Sequence, residues 1–290
     1  MNGIIIINKE KDYTSRDIVN IACKKLNTKK VGHTGTLDPM ATGVLVLCIG
    51  NATKLVDVIT SYDKEYIVEV ELGTLTDTLD ITGNIIKDLD CIIEKEKIEK
   101  CLKSFVGFYN QEVPIYSAVK INGKKLYEYA RNNEEVTLPS RKVEIKELEL
   151  LDFRIYKNSK TILKLRCLVS KGTYIRSLIR DIAFKLNTVG TMSSLCRTKQ
   201  GEFNLSEAIS LENLENNNYK IYEIEDILNN FYTVIIDNYL EKKIKNGCIL
   251  QNRYEEEIIL FKNKENKVIA LYKVYEKDKT KIKPWKMFTS

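Results

Sequence analysis

The chain has 290 residues, of which 43% are hydrophobic and 30% charged, and its formal net charge is +6 at pH 7. This length favours one large domain followed by a small one, with enough apolar residues for a sizeable core. No apolar run approaches the ~20 residues of a membrane-spanning helix, and the first residues lack the features of a secretory signal, so we expect a cytoplasmic protein with no membrane contact.

Cysteine and histidine usage exclude several kinds of site. The seven cysteines are scattered without a Cys-x-x-Cys pair, and their odd number argues against a disulfide framework or a zinc site. We expect them to be buried as small apolar side chains. His33 is the sole histidine, so a histidine-rich metal site is excluded too, and we predict no metal.

The positive charge is concentrated in two segments. Residues 160–199 contain nine basic side chains and one acid, Asp181, so this segment alone carries +8. Residues 277–286 add five lysines against one acid. Two separate basic regions suit a partner with a long phosphate backbone, and we predict a nucleic acid. Solvated faces of helices and strands would give the same composition.

Hydrophobic periodicity predicts an α+β fold with a mixed, mainly antiparallel sheet. In chain order, the predicted elements are a strand at 4–7, a helix at 17–26 with Ser15 as its N-cap, a buried strand at 44–49, an alternating strand at 64–72, a helix at 94–105, a turn at 122–123, a long antiparallel pair at 143–155 and 161–170, and a helix that Gly172 opens and that ends near 186.

The composition changes near residue 230. A short amphipathic helix at 238–245 is followed by alternating strands at 257–261 and 268–274, which flank a turn at 263–266. We therefore predict a catalytic domain at 1–231 and a small β-rich domain at 232–290.

The densest chemical signal is the segment 32–43, GHTGTLDPMATG. Its three glycines and its Asp-Pro pair indicate a loop, and Pro39 disfavours a helical conformation at Asp38. Such a loop can present the Asp38 carboxylate at a fixed angle. An elaborate turn in which Asp38 is only a local cap would also fit these residues.

This loop and the residues up to Lys54 resemble the signature GHTGxLDPxAxGVLxxxxGxATK of the TruB-type pseudouridine synthases. Further resemblances follow in the family's order, at 64–66 (KEY), 73–83 (GTLTDTLDITG), 111–131 and 171–177 (KGTYIRS). The C-terminal segment resembles a PUA domain more faintly. Two positions depart from the family pattern. Residues 9–15 lack its Pro and Gly, where we expect Asp12 to adopt the positive φ of the turn, and Val113 replaces a proline.

The resemblance implies a tRNA pseudouridine synthase that isomerises uridine 55 in the T-loop, in a cleft at the centre of the catalytic domain. Asp38 would be the catalytic carboxylate and Arg176 its bidentate partner, which favours the ionised carboxylate. Tyr66 would stack on the uracil and serve proton transfer at C5. The alternatives are a phosphate contact or a surface helix position for Arg176, and a core position for Tyr66.

The same resemblance implies a set of RNA contacts. The residues expected to bind RNA are His33, Lys9, Lys64, Thr36, Lys171, Tyr174 and the other basic residues of 160–199. A structural hydrogen bond is the alternative for His33. We favour a structural or 2′-OH role for Asp77 and Asp80 over catalysis.

Isomerisation involves no redox change and no net hydrolysis, so we expect no cofactor. We also expect a monomer that binds the T-arm of tRNA without a protein partner. Three other functions compete with this interpretation. An RNA glycosidase would release uracil, a tRNA-folding chaperone would not need an anionic carboxylate facing RNA, and a guide-RNA-dependent synthase would need extensions that this chain lacks.

Overall fold

The computed structural model of the protein describes residues 1–156 and 159–288. The α-helices of the described residues are α1 (Ser15–Lys25), α2 (Val56–Thr60), α3 (Lys95–Lys103), α4 (Leu126–Arg131), α5 (Ile175–Lys185), α6 (Leu211–Glu215), α7 (Ile224–Ile227) and α8 (Asn238–Lys245). The strands are β1 (Gly3–Lys9), β2 (Val31–His33), β3 (Thr42–Ile49), β4 (Lys64–Leu72), β5 (Thr74–Thr76), β6 (Ile85–Asp88), β7 (Gly107–Glu112), β8 (Lys120–Ile121), β9 (Lys124–Lys125), β10 (Ser140–Tyr156), β11 (Lys160–Val169), β12 (Gly190–Gln200), β13 (Phe203–Asn204), β14 (Tyr232–Ile235), β15 (Leu250–Gln251), β16 (Ile258–Lys262), β17 (Val268–Tyr275) and β18 (Asp278–Met287). Two 3₁₀ helices span Gly50–Leu55 and Leu205–Glu207.

A nine-stranded sheet forms the larger part of the molecule. Its strand order is β1-β3-β12-β4-β11-β10-β7, with β2 beside β3 and β13 beside β12. All of its pairs are antiparallel except β3 with β12. Along β4, buried and half-buried side chains alternate, as the sequence pattern predicted. The predicted α+β class and the mainly antiparallel sheet are therefore confirmed.

Most predicted elements form within a few residues of their expected bounds. The long antiparallel pair is β10 with β11, in the register Phe153 opposite Leu163. Asn122 and Gly123 both have positive φ, 51° and 82°, in the tight turn between β8 and β9. That conformation explains why Asn-Gly is a strong turn signal.

Two predicted helix starts are wrong. Thr14, rather than Ser15, caps α1, and it forms a capping box with Asp17. Ser15 instead faces the 32–43 loop, where its hydroxyl accepts a hydrogen bond from the Leu37 amide at 2.9 Å. The last predicted helix begins at Ile175 and not at Gly172, because Gly172 lies in a turn with φ of 81°.

A second sheet, with strand order β14-β16-β17-β18-β15, begins at Tyr232, where we placed the start of the C-terminal domain. The face of this second sheet that carries Leu260 and Leu271 packs on the first sheet. Leu260 and Leu271 belong to the same buried cluster as Ile4 and Val44 of strands β1 and β3. The Lys54 ammonium also donates to the Met287 carbonyl at 2.6 Å. The two sheets thus share one buried cluster, and the opposite face of the second sheet packs with α8 in a cluster of its own.

The cysteines are free thiols, and four of them, Cys48, Cys91, Cys101 and Cys167, are buried as expected. The expectation fails for the other three, Cys23, Cys196 and Cys248, which are partly exposed. None of the helices within residues 1–156 and 159–288 has the length and apolar character needed to cross a membrane.

Candidate active site

The loop between β2 and β3 carries Asp38, and hydrogen bonds from Arg197 hold its backbone in place. This arginine, 1% exposed on β12, donates from Nε to the Val44 carbonyl at 2.7 Å and from Nη2 to the Gly35 carbonyl at 3.0 Å. A Cβ at Gly43 would lie 2.2 Å from the Arg197 carbonyl oxygen, so only glycine fits there. Both ends of the loop are thereby fixed to the central strands.

The turn after β1 supports the other side of this loop. Asp12 has φ of 70°, as expected for a residue that replaces the family's glycine. Its amide donates to the Pro39 carbonyl at 2.8 Å. The Pro39 carbonyl, one residue after Asp38, is therefore hydrogen-bonded directly to the N-terminal turn.

Arg176, at the start of α5, grips both oxygens of the Asp38 carboxylate. Nε lies 3.0 Å from Oδ2, and Nη2 donates to Oδ1 at 3.1 Å. The arginine side chain is 6% exposed and the Asp38 side chain 33% exposed. The structure thus confirms the predicted bidentate pair, whose carboxylate still reaches solvent from the pocket side.

The remaining donors of Arg176 fix the plane of its guanidinium. Nη1 donates to the Thr78 carbonyl and Nη2 to the Tyr116 carbonyl, each at 3.0 Å. Asp80 lies 3.9 Å from Nε, but its carboxylate is occupied by the Thr82 amide and hydroxyl. Asp80 therefore organises its own turn and adds negative charge beside Arg176, which is consistent with the structural alternative of the two roles that we favoured, structural or 2′-OH.

Asp38 opens into a pocket of about 350 Å³. Tyr66, on β4, lines this pocket with its side chain largely buried. The other lining residues are Thr36, Leu37, Tyr116, Ser117, Ala118, Tyr127, Thr173, Tyr174, Ile175, Arg176 and Leu195. The three predicted catalytic residues, from three distant parts of the chain, are therefore brought together.

Lys9 and Lys64 are not placed to bind phosphate, contrary to our expectation. The Lys9 ammonium is fully buried and donates to the carbonyls of Glu10, Tyr13 and Pro39 at 2.7–3.1 Å. The Lys64 ammonium donates to two carbonyls, 2.7 Å away, in the turn before β4. Burial lowers the pKa of each lysine to about 8. Both lysines support the backbone around the loop instead of facing RNA.

His33 is half-buried at the end of β2, and its Nδ1 has no hydrogen-bond partner among the described residues. Burial, followed by the neighbouring Arg197, lowers the pKa of His33, so the imidazole is neutral at pH 7. Thr36 and Lys171 are exposed, and Tyr174 is half-buried at the pocket. These four residues remain predicted RNA contacts.

The basic segment 160–199 is less available to RNA than its composition suggested. Arg166 pairs with Glu65 and Glu147, and Lys160 with Asp88. Arg180 pairs with two acids, Glu112 and Asp181. With Arg176 and the buried Arg197, five of the nine cations are used inside the protein. In the C-terminal run, Lys281, Lys283 and Lys286 also face acids.

Four residues at the site were not predicted from the sequence: Tyr116, Tyr127, Leu195 and Gln111. Tyr116 and Tyr127 line the pocket, and their place in the family-like segment 111–131 was the available signal. Leu195 gave no signal, because it is one apolar residue of a strand. Buried Gln111 holds Tyr174 through its side chain, which accepts from the Tyr174 amide at 2.7 Å and donates to the Tyr174 carbonyl at 3.1 Å.

Comparison with known proteins identifies the family to which the chain is similar. Residues 23–175 match the TruB family pseudouridylate synthase (N terminal domain). A tRNA pseudouridine synthase B of Staphylococcus aureus (strain Newman) is 39% identical over 306 aligned residues, which cover 99% of each protein.

Two solved structures share the fold at lower sequence identity. One is a chain in an H/ACA RNP bound to a substrate RNA containing 2'-deoxyuridine, with a TM-score of 0.72, 22% identity, and coverage of 99% of this chain and 85% of that chain. The other is a chain in a Cbf5-Nop10-Gar1 complex, with a TM-score of 0.69, 24% identity, and coverage of 94% and 78%.

The fold and the Asp38 pocket, together with these comparisons, define a pseudouridine synthase, an isomerase that converts uridine to pseudouridine. Both the family match and the full-length identity of 39% support a closer assignment. The chain belongs to the TruB family of these enzymes.

Proposed function

We propose that the protein converts the uridine at position 55, in the T-loop of tRNA, to pseudouridine, with Asp38 as the catalytic carboxylate. The observation that carries this proposal is the Asp38 carboxylate, held on both oxygens by Arg176 and open to a pocket that Tyr66 lines. The curated relative from Staphylococcus aureus is named for tRNA as its substrate, which supports the choice of RNA.

The reaction asks little of the protein beyond positioning and charge. The N1–C1′ bond breaks, the base turns, and a C5–C1′ bond forms, while C5 loses a proton and N1 gains one. No electrons leave the system and no water is consumed. A carboxylate can assist as a nucleophile at C1′, by addition at C6 or by deprotonating the sugar, and the position of Asp38 is compatible with each role.

The shape of the site suits a single nucleotide that has left the stack. Asp38 lies inside a pocket of about 350 Å³, which a base held in a folded loop could not enter. Enzymes that act on a base commonly extrude it into such a pocket and stack it on an aromatic side chain. Tyr66 offers that ring, and its hydroxyl is the group in the pocket that we assign to proton transfer at C5.

Arg176 keeps the reactive group in one orientation. Its guanidinium is fixed by the carbonyls of Thr78 and Tyr116, so the carboxylate that it grips cannot turn freely. A preorganised ion pair of this kind avoids rearrangement of charges during the reaction.

We further predict five properties of the protein. These are the T-arm specificity, the monomeric state, action without a protein partner, a cytoplasmic location, and an RNA-binding role for a PUA-like domain at 232–290. The β-rich second sheet, with lysines along β18, supports the last of these.

An unmodified tRNA transcript provides the test of the proposed function. The purified protein should convert one uridine, at position 55, when pseudouridine is mapped chemically, and a transcript with cytidine at that position should remain unmodified. Release of free uracil would show a glycosidase instead. Altered tRNA folding without any pseudouridine would identify a chaperone, and pseudouridine formed only at other positions would contradict the T-loop assignment.

A further inference from the structure

Two tyrosines of the pocket, Tyr127 and Tyr174, each carry an arginine against the ring. The guanidinium carbon of Arg131 lies 5.3 Å from the Tyr127 ring centroid, and that of Arg141 lies 5.4 Å from the Tyr174 ring centroid. Both tyrosines line the pocket into which Asp38 opens. Two arginines thus accompany the aromatic lining of the pocket.

In the first pair, helix geometry brings Arg131 to the Tyr127 ring. Tyr127 and Arg131 are four residues apart on α4, so their side chains share one face of the helix. Lys125, just before α4, donates to the Tyr127 hydroxyl at 3.1 Å and lies 5.3 Å from the ring centroid. The Tyr127 backbone amide donates to the Ser117 carbonyl, which anchors α4 to the pocket wall.

In the second pair, sheet register brings Arg141 to the Tyr174 ring. Arg141 on β10 is directly opposite Gln111 on β7, so the two side chains project from the same face of the sheet. Gln111 holds the Tyr174 backbone on this face, and Arg141 covers the Tyr174 ring. Arg141 also lies beside the turn at Gly172, where its Nη1 is 3.4 Å from the position that a Cβ would occupy.

The charges of these two arginines are not neutralised within the protein. Across residues 1–156 and 159–288, neither Arg131 nor Arg141 has an acidic partner within salt-bridge distance or donates a side-chain hydrogen bond. Arg131 is exposed and Arg141 half-exposed. Lys9 and Lys64, by contrast, are buried on backbone carbonyls and cannot neutralise RNA phosphates.

We propose that Arg131 and Arg141 bind the phosphates on the two sides of the target uridine, while the Tyr127 and Tyr174 rings hold the guanidinium groups in place. A nucleotide that enters the pocket draws its flanking phosphates to the mouth, where cations without acidic partners are needed. The fork of arginine suits phosphate oxygens, and stacking on a ring reduces the conformational freedom that binding must remove. This inference rests on the proposed function.

The test compares Arg131→Gln and Arg141→Gln with Arg154→Gln, an exposed arginine of β10 that pairs with acids. Binding is measured to a T-arm hairpin already converted to pseudouridine, so that no turnover occurs. Each of the first two variants should weaken binding on the order of tenfold. Each should also lower the slope of log K against log salt by about one. Arg154→Gln should match the wild type in affinity and in salt slope. Arg131→Lys and Arg141→Lys should retain the wild-type salt slope.

A second arm locates the contacts. A neutral methylphosphonate is placed in turn at each linkage that flanks the target nucleotide. A methylphosphonate at the linkage that Arg131 binds should weaken RNA binding by the wild type but should not weaken binding by Arg131→Gln any further. A methylphosphonate at the other flanking linkage should have the same relation to Arg141→Gln.

Two results would overturn the phosphate contacts: a methylphosphonate that weakens binding equally in the wild type and in both variants, or variants whose salt slopes equal that of the wild type. A wild-type protein that leaves the unmodified hairpin unconverted contradicts the proposed function itself, and this inference with it.

Discussion

Arg176 holds both carboxylate oxygens of Asp38, at 3.0 and 3.1 Å, although 138 residues separate the two in the chain. Two further hydrogen bonds to backbone carbonyls leave the guanidinium one orientation. The carboxylate that faces the pocket is therefore positioned by a group that is itself immobilised.

Arg176→Lys should retain a positive charge but lose the fork that fixes the carboxylate. We expect turnover to fall on the order of 100-fold, the cost of a small misplacement of a catalytic group. Arg180→Lys is the matched control, because this residue lies one turn further along α5 and pairs with Glu112 and Asp181 instead. Single-turnover rates at saturating RNA provide the measurement, and equal rates for the two variants would contradict a positioning role for Arg176.

Tyr66→Phe should keep the stacking ring and lose only the hydroxyl. We expect RNA binding close to that of the wild type, with the reaction stalled before the proton leaves C5. Release of tritium from C5-labelled uridine measures this step, and Tyr62→Phe, outside the pocket, serves as the control. Near-normal tritium release by Tyr66→Phe would leave the tyrosine only its stacking role.

Lys64 should make stability rise with pH above about 8. Burial lowers the folded-state pKa of Lys64 from 10.5 to about 8. Between these values the unfolded chain binds more protons, so the free energy of unfolding increases with pH. Between pH 8 and 10.5, the free energy of unfolding of Lys64→Met should rise less steeply than that of the wild type, by up to ~1.4 kcal/mol per pH unit. Denaturant titrations measure it. The exposed Lys103→Met should follow the wild type. A Lys64→Met curve that runs parallel to the wild-type curve would contradict the lowered pKa of Lys64.

Leu260→Ala tests whether the two sheets unfold together. Leu260 is fully buried in the cluster that joins both sheets, so the substitution should cost about 2–5 kcal/mol. Trp285, the sole tryptophan, lies in the second sheet and packs on this cluster. Its fluorescence and the far-UV circular dichroism should shift to lower denaturant together, whereas the exposed Ile235→Ala should change little. A shift of the fluorescence transition alone would show independent unfolding.

Local patterns predicted most of the fold, and the family-like motifs predicted which residues meet at the Asp38 pocket. Strand alternation at 64–72 and the Asp-Pro loop are readable residue by residue, and the motif at 171–177 assigned Arg176 to Asp38. Burial of charge was not readable in this way. Lys9, Lys64 and Arg197 look like surface cations in the sequence, but tertiary contacts place each of them on backbone carbonyls.

Helix starts show the same limitation. Thr14 and Ser15 are both good capping residues, and only the packing of α1 against the 32–43 loop decides between them. Ser15 bonds to Leu37, next to Asp38, and this leaves the cap to Thr14. The pocket position of Tyr127 on α4 was likewise not readable from local periodicity, because it depends on the hydrogen bond from the Tyr127 amide to the Ser117 carbonyl.

The most direct test of the central claim is pseudouridine formation by Asp38→Asn on an unmodified tRNA transcript, with binding to the same RNA measured in parallel. The substitution removes the charge and changes little of the shape. We predict no pseudouridine at position 55 above background, together with an affinity within a few-fold of the wild type. Substantial pseudouridine formation by Asp38→Asn would contradict the assignment of Asp38 as the catalytic carboxylate.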